Sequence, residues 1–232
     1  MSIEQHQYAT ARGTLPYLFR KADVLANAHN GKTPLVVFLH GAKDRGNDLS
    51  LPLGWGFPKF AAAADKLPYN FLALQIPPET TWPEWREELF ALIDTLTEVH
   101  AIDTERVVLS GFSLGSAGTW LIGSAHPERF AGLVIVSGKL PEAVDVQRLT
   151  ALRDTPVQVF HGGKDDRAPL GDAENAVGIL RALHASVVSF TLIPDGDHFI
   201  ADRVYGDPDL QSWLANIPAR HRLRPAEVAL QP

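Results

Sequence analysis

A chain of 232 residues, 45% hydrophobic and 21% charged, has the composition of a globular protein that buries a sizeable core, not that of a disordered segment. It contains no cysteine, which excludes a disulfide scaffold, a thiolate metal site and a cysteine nucleophile together. A net charge of −6 repels nucleic-acid phosphates and anionic lipid surfaces, so neither is an expected partner.

The chain opens Met-Ser-Ile-Glu-Gln-His-Gln-Tyr, with neither the basic nor the apolar stretch of a secretory signal. Its apolar runs fall far short of the roughly 20 residues of a membrane span, so the expected setting is the cytoplasm. In chain order, short apolar runs predict strands at 17–20, 35–40, 71–75, 107–110, 133–136, 157–161 and 187–193. Most lack clean alternation, as parallel strands buried on both faces do. Between them lie helical stretches at 57–66, 84–100, 114–126, 172–184 and 207–215. In the second of these, Trp85, Leu89, Leu92, Ile93, Leu96 and Val99 form one stripe at helical spacing. Strands alternating with helices predict βαβ units, hence an α/β fold with a mainly parallel sheet and helices on both faces. No linker divides the chain, so residues 1–217 are expected to form one domain. Residues 218–232, with three Pro, three Arg and weak periodicity, are expected to be an irregular tail.

Val107–Ser110 runs directly into Gly111-Phe112-Ser113-Leu114-Gly115, and a helical stretch follows. A chain that reverses from strand to helix around one residue needs a strained backbone there, and flanking glycines let the two elements pass closely. A serine at the tip projects outward as a nucleophile would, over a helix N-terminus that favours negative charge. The competing reading is a turn whose serine merely caps the helix.

A second polar loop follows the strand at 35–40: His40-Gly41-Ala42-Lys43-Asp44-Arg45-Gly46-Asn47-Asp48. Acyl transfer at a serine creates a negatively charged tetrahedral oxygen, which two aimed backbone N–H groups stabilise by several kcal/mol. Leu114 and Ala42 are the expected donors, with Gly41 allowing a close backbone approach. His40 is expected to pin this loop by hydrogen bonds. Lys43, Asp44 and Arg45 read as a solvated loop or a local salt-bridge network, with acidic-substrate binding as the alternative.

In a strand–turn–helix serine site the acid and then the histidine follow in the chain. The strand at 157–161 leads into Gly162-Gly163-Lys164-Asp165-Asp166, where Asp165 is the preferred carboxylate and Asp166 its rival. Asp165 would hold an imidazole in the right tautomer and stabilise its cation. Of the nine histidines, only His198 lies in a loop after the last long strand, in Pro194-Asp195-Gly196-Asp197-His198-Phe199. His161, ending its strand, reads as structural, and Asp195 and Asp197 as turn residues. No spacing supports a metal site or a cofactor.

These passages together resemble the α/β-hydrolase superfamily. More narrowly, they resemble the small serine esterases of the phospholipase/carboxylesterase type and their feruloyl-esterase-like relatives. The resemblance rests on Phe38-Leu39-His40-Gly41-Ala42 with Arg45-Gly46-Asn47-Asp48, on Gly111–Gly115, on His161-Gly162-x-x-Asp165-x-x-Ala168-Pro169, and on Gly196-Asp197-His198. It spans about residues 15–217 and implies an α/β-hydrolase fold without a large lid, no cofactor, and a small ester substrate. It implies Ser113 as nucleophile, Asp165 rather than Asp166 as acid, His198 as base, and Ala42 and Leu114 as oxyanion donors. Relatives often carry glycine where Lys43 and Ser116 stand, which leaves substrate choice more open than catalysis.

Two-step ester hydrolysis through an acyl-serine is therefore the expected chemistry. The same groups cleave thioesters and peptides, and a hydrolase fold can also serve as a binding protein. Trp55 and Trp82 are candidate substrate contacts, with Phe57 and Trp85 as further aromatics near the expected mouth; ordinary core packing is the alternative for all four.

Overall fold

A computed structural model describes residues 2–23, 28–183 and 188–220. Its strands are β1 (Glu4–Thr10), β2 (Gly13–Arg20), β3 (Thr33–Leu39), β4 (Asn70–Leu74), β5 (Ile102–Phe112), β6 (Gly132–Val136), β7 (Val157–Gly162) and β8 (Val188–Ile193). The helices are α1 (Ser50–Leu53), α2 (Gly56–Ala63), α3 (Arg86–Val99), α4 (Leu114–Ala125), α5 (Val146–Thr150), α6 (Leu170–Ala182), α7 (Ala201–Tyr205) and α8 (Pro208–Ala215).

All the strands join one eight-stranded sheet in the order β1-β2-β4-β3-β5-β6-β7-β8. From β4 to β8 every pairing is parallel, while β1 and β2 form an antiparallel hairpin and β2 runs antiparallel to β4. Every residue of β3 is buried, so both of its faces are covered. Leu35, Val37 and Leu39 point into one core cluster with Leu89 and Leu92 of α3, Trp120 of α4 and Val177 of α6. Val36 and Phe38 point into a second cluster with Phe57 of α2, Tyr205 of α7 and Leu214 of α8. The alternation of the strand thus explains helices on both faces, and each such fully buried side chain contributes about 1.5–3 kcal/mol.

The helix boundaries have local causes. At α3, the side chain of Glu84 accepts the Thr81 backbone N–H at 2.7 Å, closing a capping box before a short 3-10 turn at Trp82–Trp85. The α8 helix starts at Pro208 behind Asp207, whose carboxylate accepts the Asp209 N–H. Arg20, buried at the end of β2, donates to the Ala61 and Ala64 carbonyls at 2.5 and 2.8 Å and to Asp23 at 2.5 Å. Its cation thereby meets the C-terminal end of α2, where a positive charge is favoured.

β1 is not a predicted strand, because its residues are polar and mostly exposed and carry no apolar signal. Its position comes from the turn to β2, where Gly13 has φ of +123°, and from His6 stacking on Tyr17 at 5.0 Å. The expected tail at 218–232 falls mostly outside the described residues. Within them, Arg220 donates to Glu105 at 2.5 Å. Among the described residues no helix is long and apolar enough to cross a membrane.

Candidate active site

Parallel strands bring their following loops to one edge of the sheet, and the candidate residues follow β3, β5, β7 and β8. At the end of β5 the chain turns on Ser113, whose φ of 53° and ψ of −114° cost a non-glycine residue on the order of 1–3 kcal/mol. The Ser113 N–H donates to Val136 O at 3.0 Å, which anchors the turn to β6. A Cβ at Gly115 would lie 1.8 Å from the Leu39 carbonyl oxygen, and one at Gly111 would lie 2.2 Å from Gly115 O. Both flanking glycines are therefore required by close packing of α4 against β3 and β5. Ser116 is fully buried. Its Oγ lies 2.6 Å from Gly111 O and accepts the Val136 N–H at 2.9 Å, so this hydroxyl ties the ends of β5 and β6 together.

The Ser113 side chain makes no cap to α4, contrary to the capping alternative. Its Oγ lies instead 2.9 Å from His198 Nε2. On the other side of the ring, His198 Nδ1 lies 2.9 and 3.0 Å from the two Asp165 oxygens. A carboxylate only accepts, so Nδ1 carries the proton and Nε2 is free to accept from the serine. Asp165 has a fully buried side chain. Burial works against its charge, but N–H donation from Ala168 and Arg167 and the His198 imidazole outweigh it and hold the carboxyl below its usual range. Its rival Asp166 has a side chain 85% exposed and points away from this group.

The acid and base loops are stitched to each other. Gly163 and Lys164 donate their N–H groups to Ile193 O and Gly196 O, both at 2.8 Å. A Cβ at Gly162 would lie 2.2 Å from Asp197 O, so the glycine pair serves loop packing. Asp197 accepts the Phe199 N–H at 2.8 Å and Asp195 pairs with Arg203 at 3.0 Å, both as turn residues. His161 donates from Nε2 to Ala168 O at 3.0 Å beneath the acid.

His40 pins the β3 loop as expected. Its Nδ1–H donates to Gly41 O at 2.7 Å, and Nε2 accepts the Ile76 N–H at 3.1 Å. Burial lowers its pKa to about 4, so the ring is neutral and both nitrogens are satisfied. Gly41 has an extended backbone; a Cβ there would lie 3.0 Å from the Phe112 ring, so glycine here makes room for Phe112. Ala42 begins a 3-10 turn and Leu114 begins α4, and the first N–H of a helical turn has no partner within it. Ala42 and Leu114 line the same cavity as Ser113 and His198, with a volume of about 300 Å³.

The expectation of a solvated loop or a local salt-bridge network at Lys43-Asp44-Arg45 is corrected at two residues. Asp44 is buried and accepts the Trp55 Nε1–H at 3.0 Å, and burial pushes its carboxyl up. Arg45 donates to the carbonyls of Ala42 and Thr80 at 3.0 and 3.1 Å. Trp55 does line the cavity, with its ring 4.6 Å from that of Phe112. Trp82 is a correction: it is 0% exposed, donates to His40 O at 3.1 Å and fills the space beside Gly118, so it supports the loop from below and lines no part of the cavity. Phe57 and Trp85 are core residues too.

Sequence reasoning passed over several cavity residues. Phe112 lies inside the serine motif, and Phe199 directly follows His198; an aromatic beside a candidate nucleophile or base was the available signal. Ser137, Lys139 and Arg167 also line the cavity, and nothing in their local sequence marks them.

A sheet wound in this order, with a serine turned outward after the fifth strand and an aspartate and a histidine after the seventh and eighth, places the chain in the α/β-hydrolase superfamily. The phospholipase/carboxylesterase family pattern matches residues 79–207. The chain belongs to that family. No curated protein sequence matches it. Among solved structures, a thermostable esterase is 24% identical with a TM-score of 0.75, covering 92% of this chain and 62% of its own; this chain thus spans less than two thirds of that relative. A ferulic acid esterase is 16% identical with a TM-score of 0.63, covering 96% and 99% of the two chains. An acylaminoacyl peptidase of Pyrococcus horikoshii is 14% identical with a TM-score of 0.67, covering 92% and 42%. At these identities the structural likeness concerns the fold.

Proposed function

We propose that the protein is a serine hydrolase that cleaves small or water-soluble carboxylic esters through an acyl-enzyme. The observation that carries this reading is the unbroken set of hydrogen bonds from Ser113 Oγ through His198 to Asp165, opening on a cavity. Ser113 attacks the ester carbonyl as His198 Nε2 takes its proton. The imidazolium, stabilised by Asp165, then protonates the leaving alcohol. Water, deprotonated by the same nitrogen, releases the acid. The N–H groups of Ala42 and Leu114 are assigned to the tetrahedral oxygen. Trp55, with Phe112 and Phe199, walls the cavity and is assigned to the apolar part of the substrate.

Peptide cleavage is the second reading, favoured by the acylaminoacyl peptidase among the structural relatives. Labelling with a fluorophosphonate tests the nucleophile. The wild type is expected to label and Ser113→Ala is not; labelling that persists in Ser113→Ala overturns the assignment. A panel of nitrophenyl esters, acyl thioesters and aminoacyl amides then ranks the three bond types by kcat/KM.

A further inference from the structure

The chain has 27 acidic residues against 21 Lys and Arg, yet the cavity wall reverses this balance. Lys43, Lys139 and Arg167 line it, and no Asp or Glu among the described residues does. Lys43 Nζ and Arg167 Cζ lie 5.0 and 4.9 Å from the centroid of the same ring, Phe199, so the two charges stand within about 10 Å of each other beside the candidate base. Phe199 is 43% exposed, which puts this pair at the mouth. Lys43 follows the candidate oxyanion donor Ala42, and Lys139 follows the end of β6. Among the described residues no carboxylate lies within ion-pair distance of Lys43 or Lys139, and Arg167 has only the exposed Asp166 at 3.9 Å. The other acids nearby have partners: Asp165 has His198, Asp44 accepts from Trp55 while also feeling the Lys43 charge, and Asp202, on the outer side of Lys43, pairs with Lys59.

Ser137 is an independent sign. It lines the cavity at φ of 50°, and its buried Oγ has no hydrogen-bond partner among the described residues. A buried hydroxyl left unpaired is costly, and here it can donate to an oxygen of whatever fills the cavity.

We propose that the preferred substrate is an anionic ester, bearing a carboxylate or phosphate that Lys43, Lys139 and Arg167 hold at the cavity mouth. This assignment rests on the ester-hydrolysis reading and adds to it the charge of the substrate. All three side chains are exposed, so their combined pull on such a group is screened by salt.

The test compares mono-4-nitrophenyl glutarate, an anion, with 4-nitrophenyl pentanoate, a neutral ester of equal acyl length. The ratio of their kcat/KM values is expected to fall about tenfold in the triple variant Lys43→Met, Lys139→Met, Arg167→Met, chiefly through KM, and to fall in the wild type at high salt. Should the triple variant not fold, Lys139→Met and Arg167→Met are assayed singly, with smaller drops expected. A ratio that stays the same, or two esters that lose activity in parallel, overturns the proposal. Failure of the underlying esterase reading looks different, because neither ester then turns over. In that case calorimetric titration with glutarate and with inorganic phosphate still decides. Binding by the wild type that weakens about tenfold in the triple variant upholds an anion site, and the better ligand identifies the anion. No binding, or equal binding by both proteins, refutes it.

Discussion

Asp165 keeps its charge where burial opposes it, and the proposed chemistry depends on that charge holding the His198 proton on Nδ1. Asp165→Asn preserves the shape and one oxygen acceptor but replaces the other acceptor with a donor, which favours the wrong tautomer. It is expected to lower kcat on ester substrates by about 10³–10⁴-fold with an unchanged circular dichroism spectrum; steady-state kinetics check this. His40 behaves in the opposite sense. Burial holds it neutral with a pKa near 4, against about 6.5 when unfolded. The unfolded chain therefore binds the extra proton between those values. The stability from neutral His40 is complete above pH 6.5 and is lost as the pH falls toward 4, by about 3 kcal/mol at most. Urea denaturation at pH 7, 5 and 4 should show a shallower loss for His40→Gln than for the wild type. Equal slopes would mean that the ring carries no such linkage.

Among the elements, the serine turn is held by contacts that tolerate no added atoms. With a Cβ 1.8 Å from Leu39 O, Gly115→Ala forces α4 away from β3, and a loss of more than about 3 kcal/mol is expected, read as a lowered urea midpoint together with lost activity. Ser116→Ala removes the acceptor of the Val136 N–H and should cost about 1–3 kcal/mol in the same measurement. These elements were legible because their signals are local. Apolar runs marked β3, β4, β6 and β7, and the 3.6-residue stripe marked α3. β5 extends to Ile102–Phe112, well beyond the predicted 107–110, because Asp103 and Arg106 pair at 2.8 Å and remove the penalty that two charges in a buried strand would carry. β1, α1, α5 and α7 escaped notice because they are short or polar and take their conformation from neighbours.

At the scale of the whole molecule, Arg20 links the sheet, the end of α2 and the loop at Asp23 from a buried position. Removing its carboxylate partner Asp23 leaves a buried charge less compensated, so Asp23→Ala is expected to cost about 3 kcal/mol, measured by urea denaturation. By itself the sequence determined the alternating α/β architecture, the serine turn, the loop pinned by His40 and the small set of acids and histidines that could join the serine. Those properties depend on residues a few positions apart, whose backbone preferences and periodicity are written locally. The choice of Asp165 over Asp166 was already favoured by the sequence; only the tertiary structure decided that Trp55 reaches the cavity while Trp82 lies beneath it, and that three cations from separate loops share one wall. These outcomes depend on sheet order and on loops 33 and 85 residues apart meeting at one edge, and no local pattern encodes which side chains a twisted sheet will bring face to face.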